Sequence, residues 1–225
     1  MDSIKAISFD LDDTLWAIDP VIKRAEEKIQ KYILKTFPLI KSGNIQNDFS
    51  EALKDVRKSY PQLSYNLTEL SRLSFEGLLK KYDYEPDQSY DLVQRYLDFR
   101  HEVEIYPDVF ECLGILSKRF KIASLTNGNA DVMRLSIGKH FFAHVCAESV
   151  GVKKPDKKMF SRLSEVLDTP PEFILHVGDH PIEDVIAAKE SGLQSVWMNR
   201  FKKEWPLQEK VPHEVTNLNQ LTNLL

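Results

Sequence analysis

Residues 4–15 read Ile4-Lys5-Ala6-Ile7-Ser8-Phe9-Asp10-Leu11-Asp12-Asp13-Thr14-Leu15. Ile4 to Phe9 mixes apolar and polar residues over the length of a short strand, stops at a carboxylate, and runs straight into the acidic, turn-forming Asp12-Asp13-Thr14. The expectation is a strand that delivers carboxylates to its C-terminal end. Asp10 and Asp12 are two apart and would face opposite sides of a regular strand, so they serve one site only if the chain bends after Asp10.

Outward from this stretch the rhythm changes twice. From Pro20, residues Ile22, Ala25, Ile29, Tyr32 and Ile33 share one face at helical spacing. Further helices are predicted near 48–59, 67–82 and 87–102, separated by Ser42-Gly43-Asn44, Pro61 and Pro86. After Pro107 strand-like runs (121–125, 144–148, 173–178, 194–199) alternate with helical ones (107–119, 130–139, 155–167, 181–191). Such alternation implies an α/β fold with a doubly wound parallel sheet, which the first strand joins. The predicted organisation is a core of residues 1–15 and 106–225, interrupted by an all-helical insertion over 16–105. Residues 216–223 read as a polar tail.

Composition narrows the function. A chain of 225 residues, 42% hydrophobic and 28% charged, is large enough to bury a core without disulfides, so Cys112 and Cys146 are expected to be buried thiols. A net charge of -4 gives no basic footprint, so neither nucleic acid nor a membrane surface is an expected partner. No apolar run approaches the roughly 20 residues of a membrane span, and the start of the chain lacks the order of a signal peptide. The expectation is a cytoplasmic protein, monomer or homodimer, that acts on a small molecule.

In an open parallel sheet, ligands bind beyond the carboxyl ends of the strands. There the sequence places Asp10 and Asp12, then Thr126-Asn127-Gly128-Asn129, then Lys154 before Pro155, then Gly178-Asp179 with Asp184 five residues beyond. Clustered carboxylates raise one another's pKa unless a cation is present, and a hard divalent ion such as Mg2+ suits an all-oxygen donor set. A carboxylate at a strand tip can attack phosphorus and form an aspartyl phosphate. A second carboxyl can protonate the leaving oxygen and later take a proton from water, while lysine, hydroxyl and amides hold the phosphoryl oxygens.

Phe9-Asp10-Leu11-Asp12-Asp13-Thr14-Leu15, Leu125-Thr126-Asn127, Lys154-Pro155-Asp156 and Val177-Gly178-Asp179 with Glu183-Asp184 together resemble the four ordered motifs of the haloacid dehalogenase-like hydrolases. The resemblance implies a Rossmann-like core with a helical cap over 16–105. It implies Asp10 as nucleophile and metal ligand, and Asp12 as general acid/base with its carbonyl on the metal. It further implies Thr126, Asn127 and Lys154 at the phosphate, Lys154 also steadying Asp10, and Asp179 and Asp184 on Mg2+. The family's dehalogenases lack a carboxylate at the position of Asp12, since displacing halide needs no proton donor, so its presence points to a phosphatase for a small phosphorylated metabolite. Leu15-Trp16, Thr126-Asn127-Gly128-Asn129 and the run from His176 to Gly192 are similar to members that dephosphorylate flavin mononucleotide or 5-amino-6-(5-phosphoribitylamino)uracil. His180-Pro181 departs from the family's usual small or acidic residue. A sugar phosphomutase of the same fold and a catalytically silent binding module remain alternatives.

Other residues have plainer readings. His140 and His144 are four apart, but no Cys or Glu completes a zinc site. His176 is expected to pack or bond a neighbour within its strand. Trp16, just after the acidic turn, is a candidate stacking surface for a planar substrate, or an aromatic packed in the linker.

Overall fold

The computed structural model describes residues 3–208 and 213–225. Met1 and Asp2, with which the signal-peptide reading begins, and residues 209–212 of the expected core lie outside them. The chain forms two compact units, one of residues 1–17 and 104–225 and the other of residues 18–103.

In the first unit the described strands form a six-stranded sheet in the order β3-β2-β1-β4-β5-β6, where β1 is Ala6–Phe9, β2 Lys121–Thr126, β3 Ala143–Cys146, β4 Ile174–Gly178, β5 Gln194–Met198 and β6 His213–Val215. Every pairing is parallel. The α/β, Rossmann-like class expected from the sequence is therefore the observed one. β1 and β4 are buried along their whole length, as strands covered on both faces must be, and this explains their near-continuous apolar character. Phe9 stands level with Ser124 of β2 and Val177 of β4, so the C-terminal ends of the three central strands stand together.

The second unit holds four α-helices among its described elements: α1 (Ile18–Thr36), α2 (Ile45–Ser59), α3 (Leu67–Lys81) and α4 (Ser89–Arg100). α1 buries Val21, Ala25, Ile29 and Ile33, an i, i+4 stripe. Ile29 and Ile33 pack in one cluster with Phe37, Ile45, Phe75, Leu78, Leu79 and Leu92. Asn66 caps α3 by accepting from the Glu69 N–H at 2.8 Å. Asp48 of α2 accepts from Lys81 Nζ at 2.7 Å and from the Tyr82 hydroxyl, and these two bonds hold its carboxyl below the ordinary value. A carboxylate that ionises more readily folded than unfolded adds stability above its unfolded pKa, and that stability is lost as pH falls toward the lowered folded value. Asp48→Asn is expected to lower the melting temperature by a few degrees at pH 7, with the gap narrowing as pH falls below the ordinary carboxylate range; thermal melts at pH 7 and through that acid range check this.

Several sequence expectations need correction. The helix expected over 130–139 is instead two 3-10 turns, Val132–Arg134 and Gly138–His140. Asp131 caps the first by accepting from the Met133 N–H, Leu135 is extended, and a Cβ on Gly138 would lie 2.8 Å from the carbonyl oxygens of Val132 and Met133. The strand expected over 144–148 ends at Cys146, and Ala147–Val150 is a helical turn, α6 after α5 (Val109–Leu116). The helix over 155–167 is α7 (Lys157–Leu167), and that over 181–191 opens as a π-helical turn, Pro181–Ile186, before α8 (Ala187–Glu190). The polar tail carries a helix, α9 (Leu218–Leu224), which buries Leu218 and Leu221 and is capped by Asn217 accepting from the Gln220 N–H. Both cysteines are free thiols, but only Cys112 is buried; Cys146 is half-buried. Among the described residues, no helix is long and apolar enough to cross a membrane.

Candidate active site

The bend that Asp10 and Asp12 require is present. Asp10 extends β1, its N–H donating to Val177 O at 2.8 Å, and the chain then closes a tight loop in which the Leu15 N–H donates to Leu11 O and the Asp13 N–H to Trp16 O. Asp13 takes a left-handed φ of 59°, a conformation that Asp adopts at lower cost than most side chains. Asp10 and Asp12 thereby line one cavity of about 180 Å3, together with Thr126, Asn127, Gly128, Lys154, Asp179, His180, Glu183 and Asp184. Of the candidate residues, only Trp16 is absent from this wall.

Lys154 is the electrostatic centre of the site. It is 1% exposed, and its Nζ donates to Asp10 Oδ1 at 2.7 Å, to Leu125 O at 2.8 Å and to Asp184 Oδ1 at 2.5 Å. All three ammonium N–H groups are thus engaged, so in this arrangement Lys154 is a fixed charge beside Asp10 with no free donor for a phosphate. Burial favours its neutral form, but Asp10 and Asp184 outweigh that and hold its pKa above the ordinary lysine value. Lys153, its neighbour, is exposed.

Burial alone would raise the Asp184 carboxyl; Lys154 and His176 outweigh it and keep Asp184 ionised well below the usual range. Burial pushes Asp10 well above its ordinary value, with Asp184 and Asp179 adding to the rise and Lys154 opposing it. Asp179 is pushed up to about 7, by burial first and then by Asp184 and Asp13. Asp10, Asp179 and Asp184 each offer a carboxylate oxygen within 4.8 Å of the others. An all-oxygen set with more negative charge than Lys154 neutralises fits a hard divalent cation. His140 and His144 belong to no such group among the described residues. His144 Nδ1 is instead bonded to Ser124 Oγ at 2.6 Å, and His140 Nδ1 to Ser117 Oγ at 3.3 Å.

Other contacts are invisible in the linear pattern. Gly178 is required because a Cβ there would fall 2.3 Å from Asp184 Cγ, so the Asp184 carboxyl lies directly on the glycine. Its Oδ2 accepts from the His180 N–H at 2.9 Å, and its Oδ1 is bonded to His176 Nε2 at 3.1 Å. His176 is wholly buried, burial lowers its pKa despite Asp184, and its Nδ1 meets Ser8 Oγ at 2.8 Å. These partners assign the neutral tautomer with the proton on Nε2. Ser8 is the one polar side chain in β1, a signal that sequence reading passed over. His180 Nδ1 accepts from the Ile182 and Glu183 N–H groups and caps the π-helical turn, which is the local use of the unusual His180-Pro181 pair.

Thr126 is buried, and its Oγ1 accepts from the Gly128 N–H at 2.9 Å, which leaves the hydroxyl proton to donate. Asn127 is a phosphate-binding candidate on sequence grounds. Its amide NH2 instead donates to Lys154 O and Glu183 Oε2, and its Oδ1 accepts from the Lys154 N–H at 2.7 Å. That side chain is thus committed to holding the backbone of Lys154. Trp16 is fully buried, and its indole N–H donates to Asp12 Oδ1 at 2.8 Å.

Residues 4–192 match the haloacid dehalogenase-like hydrolase family. The chain belongs to this family. As a haloacid dehalogenase-like hydrolase it is an enzyme, and its curated relatives include phosphatases. It is 28% identical to the 5-amino-6-(5-phospho-D-ribitylamino)uracil phosphatase YigB of Escherichia coli, over 99% of this chain and 96% of the relative. It is 31% identical to a glyceraldehyde 3-phosphate phosphatase of Methanopyrus kandleri, over 88% and 85% of the two chains. Among solved structures it is similar to the 2-haloacid dehalogenase from Pseudomonas syringae pv. Tomato DC3000, with a TM-score of 0.90 and 31% identity over 98% of this chain and 97% of that one.

Proposed function

We propose that this hydrolase cleaves phosphomonoesters of small metabolites through a phospho-Asp10 intermediate. The observation that carries the reading is the carboxylate of Asp12 in the same cavity as Asp10. Proton donation to a leaving oxygen needs such a group, whereas departure of a halide does not. Asp10 supplies the attacking oxygen, oriented by Lys154 on Oδ1. Asp12 protonates the departing ester oxygen, then takes a proton from the water that cleaves the phospho-enzyme. The Thr126 hydroxyl donates to a phosphoryl oxygen, and the fixed charge of Lys154 offsets the negative charge gathered beside it. Asp10, Asp179 and Asp184, with the Asp12 carbonyl, would hold Mg2+, which supplies positive charge against nucleophile and phosphate together.

The helical unit of residues 18–103 is proposed to serve as the substrate-selecting cap. The likeness to a ribitylaminouracil phosphatase and to triose phosphate phosphatases favours a primary phosphate ester on a short polyol chain, with riboflavin-pathway phosphates and flavin mononucleotide first. The test is phosphate release from a panel of these esters, pyridoxal phosphate, other sugar phosphates, nucleotides and phosphoglycolate, with Mg2+ and after chelation, beside halide release from 2-chloropropionate. Phosphate release that chelation abolishes is the expected result. Halide release without phosphate release would make the chain a dehalogenase, the reading that its likeness to the Pseudomonas syringae enzyme favours. Isomerisation of a sugar phosphate without net release would make it a mutase.

A further inference from the structure

We infer that His176 is a positioning residue for the divalent-ion site: from inside the sheet it donates to Asp184 and fixes that carboxylate where an ion can use it. This rests on the ion-binding part of the reading above. Side chains alternate along a strand, so His176 and Gly178, two apart in β4, face the same side of the sheet. Ser8 stands level with His176 on the neighbouring β1. The turn Pro181–Ile186 lays the Asp184 carboxyl over that same face, against the bare Cα of Gly178.

Three donors hold the carboxylate there. Its Oδ1 accepts from Lys154 Nζ at 2.5 Å and from His176 Nε2 at 3.1 Å, and its Oδ2 accepts from the His180 N–H at 2.9 Å. The three are not equivalent. The His180 N–H stands at the head of the turn that carries Asp184 and moves with it. The Lys154 ammonium ends a long flexible side chain and is shared with Asp10. His176 ties the carboxyl to the sheet itself, through a ring with little freedom of its own. It is wholly buried, its Nδ1 is bonded to Ser8 Oγ at 2.8 Å, and the Phe160 ring of α7 packs on it in a T-shaped arrangement with centroids 5.7 Å apart. An imidazole bonded through both nitrogens cannot turn without giving up both bonds. The oxygen of Asp184 thus stays within 4.8 Å of those of Asp10 and Asp179, where the ammonium of Lys154 alone would leave the carboxylate free to swing about a single charge. Groups that orient a metal ligand from behind typically account for about 10- to 100-fold in metal affinity.

The probe is Mn2+ alone, its free concentration read by electron paramagnetic resonance during titration of the metal-free protein, so no turnover is needed. His176→Met keeps a side chain of useful bulk and deletes the donor. His176→Gln has a similar length and offers an N–H to Asp184. His176→Met is expected to raise the Kd for Mn2+ about 10- to 100-fold, and His176→Gln to recover most of that loss. A packing defect would weaken both alike, because neither side chain reproduces the ring or its contact with Phe160. Circular dichroism and thermal melts establish that the variants are folded. If neither His176 variant folds, Ser8→Ala carries the test; it frees the far side of the ring and is expected to raise the Kd about 2- to 10-fold, the range for one lost hydrogen bond.

Equal losses in His176→Met and His176→Gln, wild-type affinity in His176→Met, or wild-type affinity in Ser8→Ala where it stands in for them would overturn the inference and leave His176 a packing residue. The phosphatase reading would survive each of these, since the wild-type protein would still bind the ion and release phosphate. A wild-type protein that binds no Mn2+ would remove the ion site and the inference together.

Discussion

Asp10→Asn is expected to abolish turnover, by roughly 10^4-fold or more, in a protein that still folds. Asparagine keeps the shape of the side chain and the backbone bond to Val177 O, but its amide oxygen is a poor nucleophile toward phosphorus. The stability of the variant is also informative. Burial first, then Asp184 and Asp179, raise the Asp10 pKa against the pull of Lys154. The folded state then holds this proton to higher pH than the unfolded chain does, so an ionised Asp10 lowers stability as pH rises above the ordinary carboxylate range. A neutral asparagine is spared that cost. With divalent ions chelated, Asp10→Asn is expected to melt at or above the wild-type temperature at pH 7. Thermal melts and phosphate assays on the same preparation check both halves, and turnover within tenfold of wild type would rule out the covalent role.

Lys154→Met is expected to damage both stability and activity. The side chain is enclosed, and its ammonium is the shared partner of Asp10 and Asp184. Methionine has a comparable volume, so the cavity term is small and the electrostatic term dominates. Two buried carboxylates lose their cation, a change that costs about 3–5 kcal/mol in comparable sites. For a chain of this size that corresponds to a fall in melting temperature of roughly 6–20 °C. Since Asp10 and Asp184 raise the lysine pKa, the wild-type contribution is fully present below the ordinary lysine value and is lost only as pH rises through the raised one. Millimolar Mg2+ is expected to recover more stability in the variant than in the wild type, because it offsets the same two carboxylates. Turnover is expected to fall at least about 100-fold even with the ion present. A variant as stable as wild type under chelation would show that Lys154 is not what neutralises the cluster.

These two residues were readable in the sequence for a physical reason. A parallel sheet gathers the C-terminal ends of its strands, so chemistry that follows each strand in the chain converges in space without any long-range information. Asp10, Thr126, Lys154 and Asp179 all obey that rule. What the sequence hid depends on side-chain direction and on partners far along the chain. A separation of 168 positions between Ser8 and His176 leaves no local trace, although the two side chains meet inside the sheet. The sequence leaves Trp16 either a stacking surface or an aromatic packed in the linker, because periodicity cannot show which way an indole N–H points. The helix expected over 130–139 gives way to turns where a Cβ on Gly138 would lie 2.8 Å from the carbonyl oxygens of Val132 and Met133, a close approach that no linear pattern records. β6 has three residues and depends on pairing with Val196, Trp197 and Met198, which no run of three can announce.

The place of β1 in the sheet has a consequence for how this enzyme is made. Its residues 6–9 pair on one side with 121–124 and on the other with 174–177, so the strand that presents Asp10 leaves the ribosome well before either neighbour. The contacts within residues 18–103 span far shorter stretches of chain, and local contacts form faster than distant ones. During synthesis the helical unit therefore has its whole sequence available while β1 is still an unpaired apolar strand that must be kept from the wrong partners. Asp10 is made before these partners, and it gains Lys154 only after residue 154 and its last neighbouring strand only after residue 177.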